Sequence, residues 1–205
     1  MKKGKLVVFE GISGTGKETQ AKLLKDYLGK KGIVAHIVYH PTSELKEILA
    51  TWRKNRHIDH LTEVYLLLAD RRDRMSQVIL PALKRGEWVI SLRNFVSALV
   101  YQGHTSAQRA WIAHEFSHIE HEPDYLFWFD ITPVAALARV MKRHQETGEP
   151  LGKFETPEHL ADKRKKFQTV LRDFSFYKID AACTIEQIHE SITGVILPVA
   201  KVRSG

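Results

Sequence analysis

The sequence predicts a three-layer α/β fold in which helices flank a parallel sheet, and three observations support this prediction. Short apolar runs alternate with longer segments whose apolar residues recur at helical spacing. A glycine-rich turn joins the first apolar run to the first helical segment. The run YLFWFD, residues 125–130, is almost wholly apolar, which is typical of a strand buried on both faces. Strands that alternate with helices favour βαβ units and therefore a parallel sheet.

The order of elements follows from these patterns. The predicted strands are residues 6–9, 33–39, 88–91, 125–130 and 176–181. The first predicted helix begins after Lys17. The next predicted helices cover residues 43–52, 61–84, 106–119, 133–147 and 158–174. Pro133 suits the first position of its helix, because the N–H that proline lacks would have no partner there. Thr184 and Gln187 have the spacing of a capping box and predict a last helix.

Composition and charge narrow the class of protein. A chain of 205 residues, 43% hydrophobic, predicts one globular domain over residues 1–205. We expect no membrane partner, since no apolar run reaches the roughly 20 residues that span a bilayer and no signal peptide is visible. Cys183 is the only cysteine, which excludes an internal disulfide and favours the cytoplasm. The net charge of +7 suits a polyanionic small substrate, and its spread along the chain disfavours a nucleic-acid partner.

Residues 6–20, LVVFEGISGTGKETQ, carry the strongest chemical signal. Glycines after a strand let backbone N–H groups point into one concavity, and the helix N-terminus adds positive potential there. Lys17 then reaches the terminal phosphates of a nucleotide. A glycine-rich turn without a ligand is the alternative, which the flanking strand and helix disfavour. The predicted phosphate-binding residues are Gly11, Ile12, Ser13, Gly14, Thr15, Gly16, Lys17, Glu18 and Thr19.

The metal-binding position of this loop departs from the usual pattern. In G-x-x-x-x-G-K-[ST] the residue after lysine is a hydroxyl that binds Mg²⁺, but here it is Glu18. Thr19 comes about 100° further around the helix and cannot simply replace it. A carboxylate is a good Mg²⁺ ligand, so Glu18 is the predicted metal ligand. Without a bridging metal, Glu18 would instead repel the triphosphate.

Sequence blocks along the chain occur in an order that resembles one enzyme family. The blocks are FEGISGTGKETQ, EVYLLLADRRDRMSQVILPALKRGEWVIS, LRNFVSALVYQG, PDYLFWFDITPVAALARVMKR and KFE at 153–155. They resemble the thymidylate kinases, P-loop nucleoside monophosphate kinases that phosphorylate dTMP with ATP. The matching family patterns include FEGxDGxGKSTQ, DRYxxSxxAYQG and PDLTxxLDxxPExAxxR. The resemblance covers residues 6 to about 195. It implies a P-loop NTPase fold with a five-stranded parallel sheet, a short lid at about 143–156, ATP and Mg²⁺ as cofactors, and a homodimer.

The resemblance also implies roles for individual residues. The implied catalytic residues are Lys17, Arg93, Arg139, Arg143 and Lys153, of which the last three would bring positive charge from the lid. Arg93 would contact the acceptor phosphate and Arg71 would hydrogen-bond thymine. Tyr101 would pack under the deoxyribose, and Ser97 and Gln102 would line the same pocket. Arginine suits these roles because its planar fork donates two parallel hydrogen bonds to phosphate, and Arg139 and Arg143 share one helix face.

Four positions depart from the family pattern near the chemistry. Glu18 replaces the metal-binding hydroxyl, Leu92 replaces the aspartate of the DR pair, Ser13 replaces an acidic loop residue, and Leu67 replaces the phenylalanine that stacks on thymine. Either Glu18 restores the lost negative charge and the kinase is active, or the chain binds nucleotides with impaired catalysis or altered specificity. We favour an active or weakly active kinase, because the cations at 17, 93, 139 and 143 are retained.

A zinc hydrolase is the alternative from another class. HEFSH, residues 114–118, fits H-E-x-x-H, which on a helix places His114 and His118 on one face with Glu115 as general base. His121 follows three residues later, but the third-ligand pattern H-x-x-G-x-x-H is absent. With eleven histidines in the chain, a chance match to so short a pattern is a real risk.

Overall fold

Within the residues that the structure describes, five strands form one parallel sheet in the order β2-β3-β1-β4-β5. The computed structural model of the protein describes residues 3–148, 151–152 and 155–201, with side chains described as far as Ile196. The strands are β1 (Leu6–Glu10), β2 (Ala35–Tyr39), β3 (Trp88–Leu92), β4 (Tyr125–Asp130) and β5 (Tyr177–Asp180). Helices flank the sheet, which confirms the predicted three-layer α/β fold. In the same residues, no helix combines the length and apolar character needed to cross a bilayer.

The helices follow the predicted order with a few differences. They are α1 (Lys17–Lys30), α2 (Ser43–Asn55), α3 (His60–Arg74), α4 (Leu80–Lys84), α5 (Phe95–Tyr101), α6 (Ser106–Ser117), α7 (Pro133–Thr147), α8 (Pro157–Val170) and α9 (Ile185–Lys201). The predicted capping box before α9 is confirmed: Gln187 N–H donates to Thr184 Oγ1, and the Gln187 side-chain oxygen accepts from Thr184 N–H. Helix α5 was not predicted, because it has only seven residues.

The helix predicted over residues 61–84 is wrong as a single α-helix. It is interrupted by a π-helical turn, Met75–Ile79, that separates α3 from α4. Pro81 explains the interruption, because proline has no N–H and its ring clashes with the carbonyl four residues earlier, at Gln77. A wider π turn just before the proline removes the need for that hydrogen bond.

The chain divides into two compact units, of which the first contains Met1–Val8 and Ala35–Tyr125. In this unit β2 and β3 pair from Ala35 opposite Trp88 to Tyr39 opposite Leu92. Because the strands are parallel, their carboxyl ends lie side by side, and the His40 N–H donates to the Leu92 carbonyl at 3.1 Å. All residues of β3 are buried, as a strand covered on both faces requires.

The second unit contains Phe9–Val34 and Leu126–Gly205. Its core includes Phe9, whose ring lies 4.9 Å from that of Phe129 and 5.7 Å from that of Phe127. A fully buried phenylalanine contributes roughly 1.5–3 kcal/mol to folding. This packing fixes the end of β1 immediately before the glycine-rich loop. Helix α1 is held at its other side by Gln20, whose side-chain amide donates to the Ile185 carbonyl at 2.8 Å.

Candidate active site

The glycine-rich loop of the second unit has a backbone that only glycine adopts readily. Gly14 and Gly16 have left-handed φ angles of 79° and 82°, and Gly11 has a φ of 142°. A Cβ atom on Gly11 would lie 2.6 Å from the Phe129 carbonyl oxygen, and one on Gly14 would overlap the Ala136 carbonyl oxygen. Around Gly16 the corresponding space is open. The loop is therefore a bare backbone cradle, as phosphate binding requires.

Lys17 is the first residue of α1, directly after this cradle. Its ammonium donates to the carbonyl oxygens of Gly11 and Ile12 at 2.9 and 2.7 Å and to Thr15 Oγ1 at 2.8 Å. Gly16 is the N-cap of α1 and has no side chain to cap the helix. The first turn of a helix carries N–H groups without intrahelical acceptors, which favour an anion. Loop, ammonium and helix terminus together suit the phosphates of a nucleotide.

The acidic and hydroxyl residues of this region show what could hold Mg²⁺. Thr15 is buried, and its hydroxyl donates to the Ile12 carbonyl at 3.1 Å, so it is engaged within the loop. Glu18 and Thr19 are exposed in the first turn of α1. No group of three or more His, Cys, Asp or Glu suited to a metal occurs among the described residues. The exposed carboxylate of Glu18 fits Mg²⁺, which is commonly bound through one or two carboxylates together with substrate phosphates and water.

The two arginines of α7 lie one turn apart, as predicted, and each has an identified partner. Arg139 Nη1 donates to the Ala181 carbonyl at 2.7 Å, and Arg143 Nη2 donates to Glu155 Oε1 at 3.0 Å. Glu155 Oε2 also accepts from the Gly152 N–H at 2.7 Å, so this carboxylate connects Arg143 to Gly152 within the predicted lid. Lys153, the remaining cation predicted for the lid, lies outside the described residues.

Asp130, at the carboxyl end of β4, lies in a cluster that the sequence did not reveal. It accepts from Arg164 Nε at 2.7 Å and Nη2 at 3.1 Å, and Lys178 lies 3.0 Å away. Burial raises the pKa of the Asp130 carboxyl, but the hydrogen bonds from Arg164 and Lys178 outweigh it and leave the pKa below its ordinary value. The carboxylate is therefore ionised at neutral pH and stabilises the end of this strand.

In the first unit the structure brings three predicted acceptor-site residues together. Arg93 follows β3, and its Nη1 donates to Ser97 Oγ at 3.0 Å. The Arg93 guanidinium carbon lies 5.2 Å from the centre of the Tyr101 ring. Arg93 has a φ of 76°, a left-handed conformation that is rare for a residue with a side chain. Such strain commonly marks a functional site.

Gln102 and Leu67 occupy different surroundings in the same unit. The Gln102 side-chain amide donates to Glu63 Oε2 at 3.4 Å, and Glu63 Oε1 accepts from Arg53 Nε at 2.7 Å. Leu67 is buried in α3. Leu92, in the position of the family's aspartate, is buried at the end of β3. Neither leucine offers an aromatic face or a carboxylate.

Arg71 is fully buried and paired with protein groups. Its Nε and Nη2 donate to the two carboxylate oxygens of Glu120 at 2.7 and 2.9 Å, and its Nη1 donates to Ser91 Oγ at 3.2 Å. Sequence reasoning did not indicate Glu120, which lies between α6 and β4. The bidentate geometry is the strong form of an arginine–carboxylate pair.

A second buried polar group adjoins this pair. His40 Nδ1 lies 3.1 Å from Asp70 Oδ2, and the Thr42 hydroxyl donates to Asp70 Oδ1 at 2.5 Å. The pKa of His40 is lowered, because burial outweighs the hydrogen bond to Asp70, which by itself would raise it. Burial would raise the pKa of Asp70, but hydrogen bonds from His40 and Thr42 leave it below its ordinary value. The signal in the sequence was present, since these polar residues directly follow a strand, but residues 40–43 were assigned to a turn alone.

The HEFSH segment does not form a zinc site within the described residues. The His114 and His118 rings lie 4.8 Å apart, with their Nε2 atoms at 3.4 Å, but His118 already lies beyond the last residue of α6. No third ligand joins them in the part of the chain that the structure describes. Two exposed histidines in contact do not supply the three protein ligands that catalytic zinc requires.

Strand, glycine cradle, lysine and helix in this order define a P-loop nucleotide-binding protein of the α/β class. Sequence comparison then identifies the family. The family model described as Thymidylate kinase matches residues 9–192. The chain therefore belongs to the thymidylate kinase family.

Individual relatives agree with this assignment. The chain is similar to a thymidylate kinase of Akkermansia muciniphila, with 33% identity over 192 residues that cover 91% of this chain and 88% of the relative. It is similar to a thymidylate kinase of Oleidesulfovibrio alaskensis, with 34% identity over 207 aligned residues that cover 94% of this chain and 97% of the relative. A third, from Buchnera aphidicola, is 36% identical over 154 residues that cover 71% and 73%.

Proposed function

We infer that this chain transfers the γ-phosphoryl group of ATP to dTMP and yields ADP and dTDP. The observation that carries this conclusion is the family match over residues 9–192, which includes the glycine cradle and Lys17. The reaction forms a bond between an oxygen of the dTMP phosphate and the γ-phosphorus. It breaks the bond between the γ-phosphorus and the bridging oxygen, which leaves with ADP.

Electrostatics is the main requirement of this chemistry. Charge spreads over three equatorial oxygens in the transition state, so that catalysis depends on positioning and on nearby cations. We propose that Glu18 would hold Mg²⁺, which when bound would supply positive charge beside the phosphates. Lys17 binds the terminal phosphates, in exchange for one of the loop oxygens to which its ammonium now donates.

The cations proposed for the lid differ in the protein partners that they would have to leave in order to bind phosphate. We propose that Arg139 and Arg143 both direct charge toward the transferred group, together with Lys153. Arg143 is paired with the carboxylate Glu155 and would exchange that partner for phosphate. Arg139 is held by the carbonyl of Ala181, which leaves further donors of its guanidinium for an anion.

The acceptor side rests on the cluster around Arg93. We propose that Arg93 binds the dTMP phosphate, with Ser97 holding the guanidinium and Tyr101 packing against both the guanidinium and the deoxyribose. We propose that Gln102 and Leu67 also belong to this acceptor site, although their immediate neighbours differ. Leu67 removes an aromatic surface, and stacking of a base on an aromatic side chain is worth about 1–3 kcal/mol. We therefore expect weaker base affinity than in relatives that carry phenylalanine there.

A coupled assay of ADP release tests the proposed function. The purified chain is incubated with ATP and Mg²⁺ and, in turn, dTMP, dUMP, dCMP, UMP or dGMP. We expect ADP formation that depends on the acceptor and is fastest with dTMP. A folded protein that binds ATP but forms no acceptor-dependent ADP would show a nucleotide-binding protein without this activity. Fastest release with another acceptor would show altered specificity.

We propose that two copies of the chain form a homodimer, as the family resemblance implies. Large apolar side chains on α2 and α3 support this proposal, because Ile48, Leu61 and Tyr65 are 42%, 41% and 55% exposed. Light scattering coupled to gel filtration should give twice the mass of one chain. Tyr65→Glu should yield monomers, while Val134→Glu on α7, where Val134 is 81% exposed, should not. A monomeric parent protein would contradict the proposal.

We also propose that residues 1–205 act as one P-loop kinase domain in the cytoplasm, with a lid at about 143–156. The single cysteine, Cys183, supports a reducing compartment. One cooperative calorimetric transition, and fractionation of the native protein with the cytoplasm, are the expected results. Two separate transitions, or recovery in another fraction, would contradict these proposals.

A further inference from the structure

The buried pair of Arg71 and Glu120 is connected by hydrogen bonds to the strained turn at Arg93. Arg71 has no exposed surface, and its guanidinium donates three hydrogen bonds, two to Glu120 and one to Ser91. Glu120 is also largely buried, with 8% of its side chain exposed. A buried charge pair with this geometry fixes the positions of both side chains.

Ser91 transmits this position to the turn. Its hydroxyl accepts from Arg71 Nη1 at 3.2 Å and donates to the Arg93 carbonyl at 2.7 Å. A serine hydroxyl has one proton, so the donor direction is set once that proton points to the carbonyl. Ser91 is itself fully buried in β3. The carbonyl of Arg93 is therefore held from the interior of the unit.

The held residue is the one whose backbone is strained. Arg93 has a φ of 76°, and a residue with a side chain persists there only when its surroundings over-determine the conformation. This backbone directs the guanidinium to Ser97 Oγ and to the Tyr101 ring. A relaxed backbone at Arg93 would move the guanidinium away from both.

We propose that Glu120 and Arg71 are positioning residues for Arg93, acting through the Ser91 hydroxyl. The inference rests on the proposed function, in which Arg93 binds the acceptor phosphate. It is separate from the thymine contact that the family resemblance implied for Arg71, because it concerns only the three hydrogen bonds that the guanidinium donates to Glu120 and Ser91.

Steady-state kinetics test the positioning role. Ser91→Ala and Glu120→Gln should each raise KM for dTMP on the order of tenfold, because small displacements of a binding group are costly, and leave KM for ATP unchanged. In Ser91→Ala, which retains the pair of Arg71 and Glu120, the ratio of kcat/KM for dTMP to that for dUMP and dCMP should stay as in the parent enzyme. An unchanged KM for dTMP in both variants would overturn the positioning role.

Glu87→Gln is the matched control. Glu87 accepts from Arg85 through the same Nε and Nη2 fork, at 2.9 and 2.8 Å, but precedes β3 whereas Arg93 follows it. Along an extended strand these ends are roughly 20 Å apart. KM for dTMP should be unchanged in this variant. An equal rise in the control and in Glu120→Gln would show a general structural effect and would overturn the proposal.

Two further measurements separate this inference from the proposed function. In an Arg93→Ala background, Ser91→Ala should have little further effect on kcat/KM, because residues that act through one another are not additive. Crystal structures of Ser91→Ala and Glu120→Gln should show Arg93 leaving the left-handed region and its contact with Ser97. The structures need no activity, so an inactive parent enzyme would defeat the proposed function alone. An unchanged Arg93 in both structures would overturn the positioning role.

Discussion

The ammonium of Lys17 lies 2.7 Å from the carbonyl oxygen of Ile12, a residue of the glycine-rich loop. Lys17 and this loop are proposed to bind the phosphates of the nucleotide together. Lys17→Ala should lower kcat/KM on the order of 10²–10³-fold, which is typical for loss of one preorganised electrostatic group. The ADP-release assay measures this. Lys22→Ala, which removes an exposed lysine of the same helix, should have no effect. Similar activities in the two variants would contradict the assigned role of Lys17.

Replacement of Gly14 and of Gly29 by alanine should change the free energy of unfolding in opposite directions. Gly14→Ala places a Cβ into the Ala136 carbonyl oxygen at a left-handed φ of 79°, and should lower the free energy of unfolding by roughly 1–3 kcal/mol. Gly29→Ala, in α1 with open space around it, should raise it by roughly 0.5–1 kcal/mol. Urea unfolding gives both values. A Gly14→Ala protein as stable as the parent would show that the cradle differs from the one described.

Glu18 is the proposed Mg²⁺ ligand, and its loss should act mainly on the metal. Glu18→Ala should raise the Mg²⁺ concentration for half-maximal activity at least about tenfold, the lower end of what loss of an outer-shell partner costs a metal site. Its affinity for ATP without metal should change little. Glu158→Ala, at the equivalent position in the first turn of α8, is the control and should change neither. Equal losses with and without metal would refute the proposal for Glu18.

The buried His40 predicts a pH dependence of stability. Because its pKa lies below the ordinary 6.5, the unfolded chain binds more protons than the folded chain between these two values. Stability should therefore fall as the pH drops below 6.5, by at most about 1.4 kcal/mol per pH unit for one proton. Asp70 and Glu120 oppose the lowered pKa, and Arg71 reinforces it.

Two substitutions isolate this contribution to stability. In His40→Gln the dependence between pH 6.5 and 5 should become shallower, as measured by urea unfolding at each pH. His57→Gln, which removes an exposed histidine of the same unit, should keep the parent slope. If the stability of His40→Gln depended on pH as steeply as that of the parent protein, another group would cause the pH dependence.

The fold was largely predictable because its signals are local. The apolar strands, the glycine loop and the caps at Pro133 and Thr184 each lie within a few residues, and all appear in the structure. The π turn at Met75–Ile79 was missed because helical periodicity hides one extra residue in a turn. Helix α5 was missed because a helix of seven residues shows barely two turns of pattern.

The positions of some proposed site residues were predictable where a residue follows a recognisable element, and their roles stay predictions. Lysine after a glycine cradle and arginine at the end of β3 fall into this group. The partners of those residues were not predictable, because Glu120 lies 49 positions from Arg71 in the sequence and Asp70 lies 30 from His40. Such pairs form only when the chain folds, and charge alone does not tell which carboxylate meets which cation. The resemblance assigned Arg71 to the base, whereas the structure pairs it with Glu120 and Ser91.

Phosphorus NMR of a single reaction mixture tests the central claim most directly. ATP, Mg²⁺ and dTMP are incubated with the purified chain, and the products are observed together. We predict signals of ADP and dTDP that grow in equal amounts as those of ATP and dTMP decline. ATP that stays intact, or that yields ADP and inorganic phosphate without any dTDP, would contradict the assigned phosphoryl transfer.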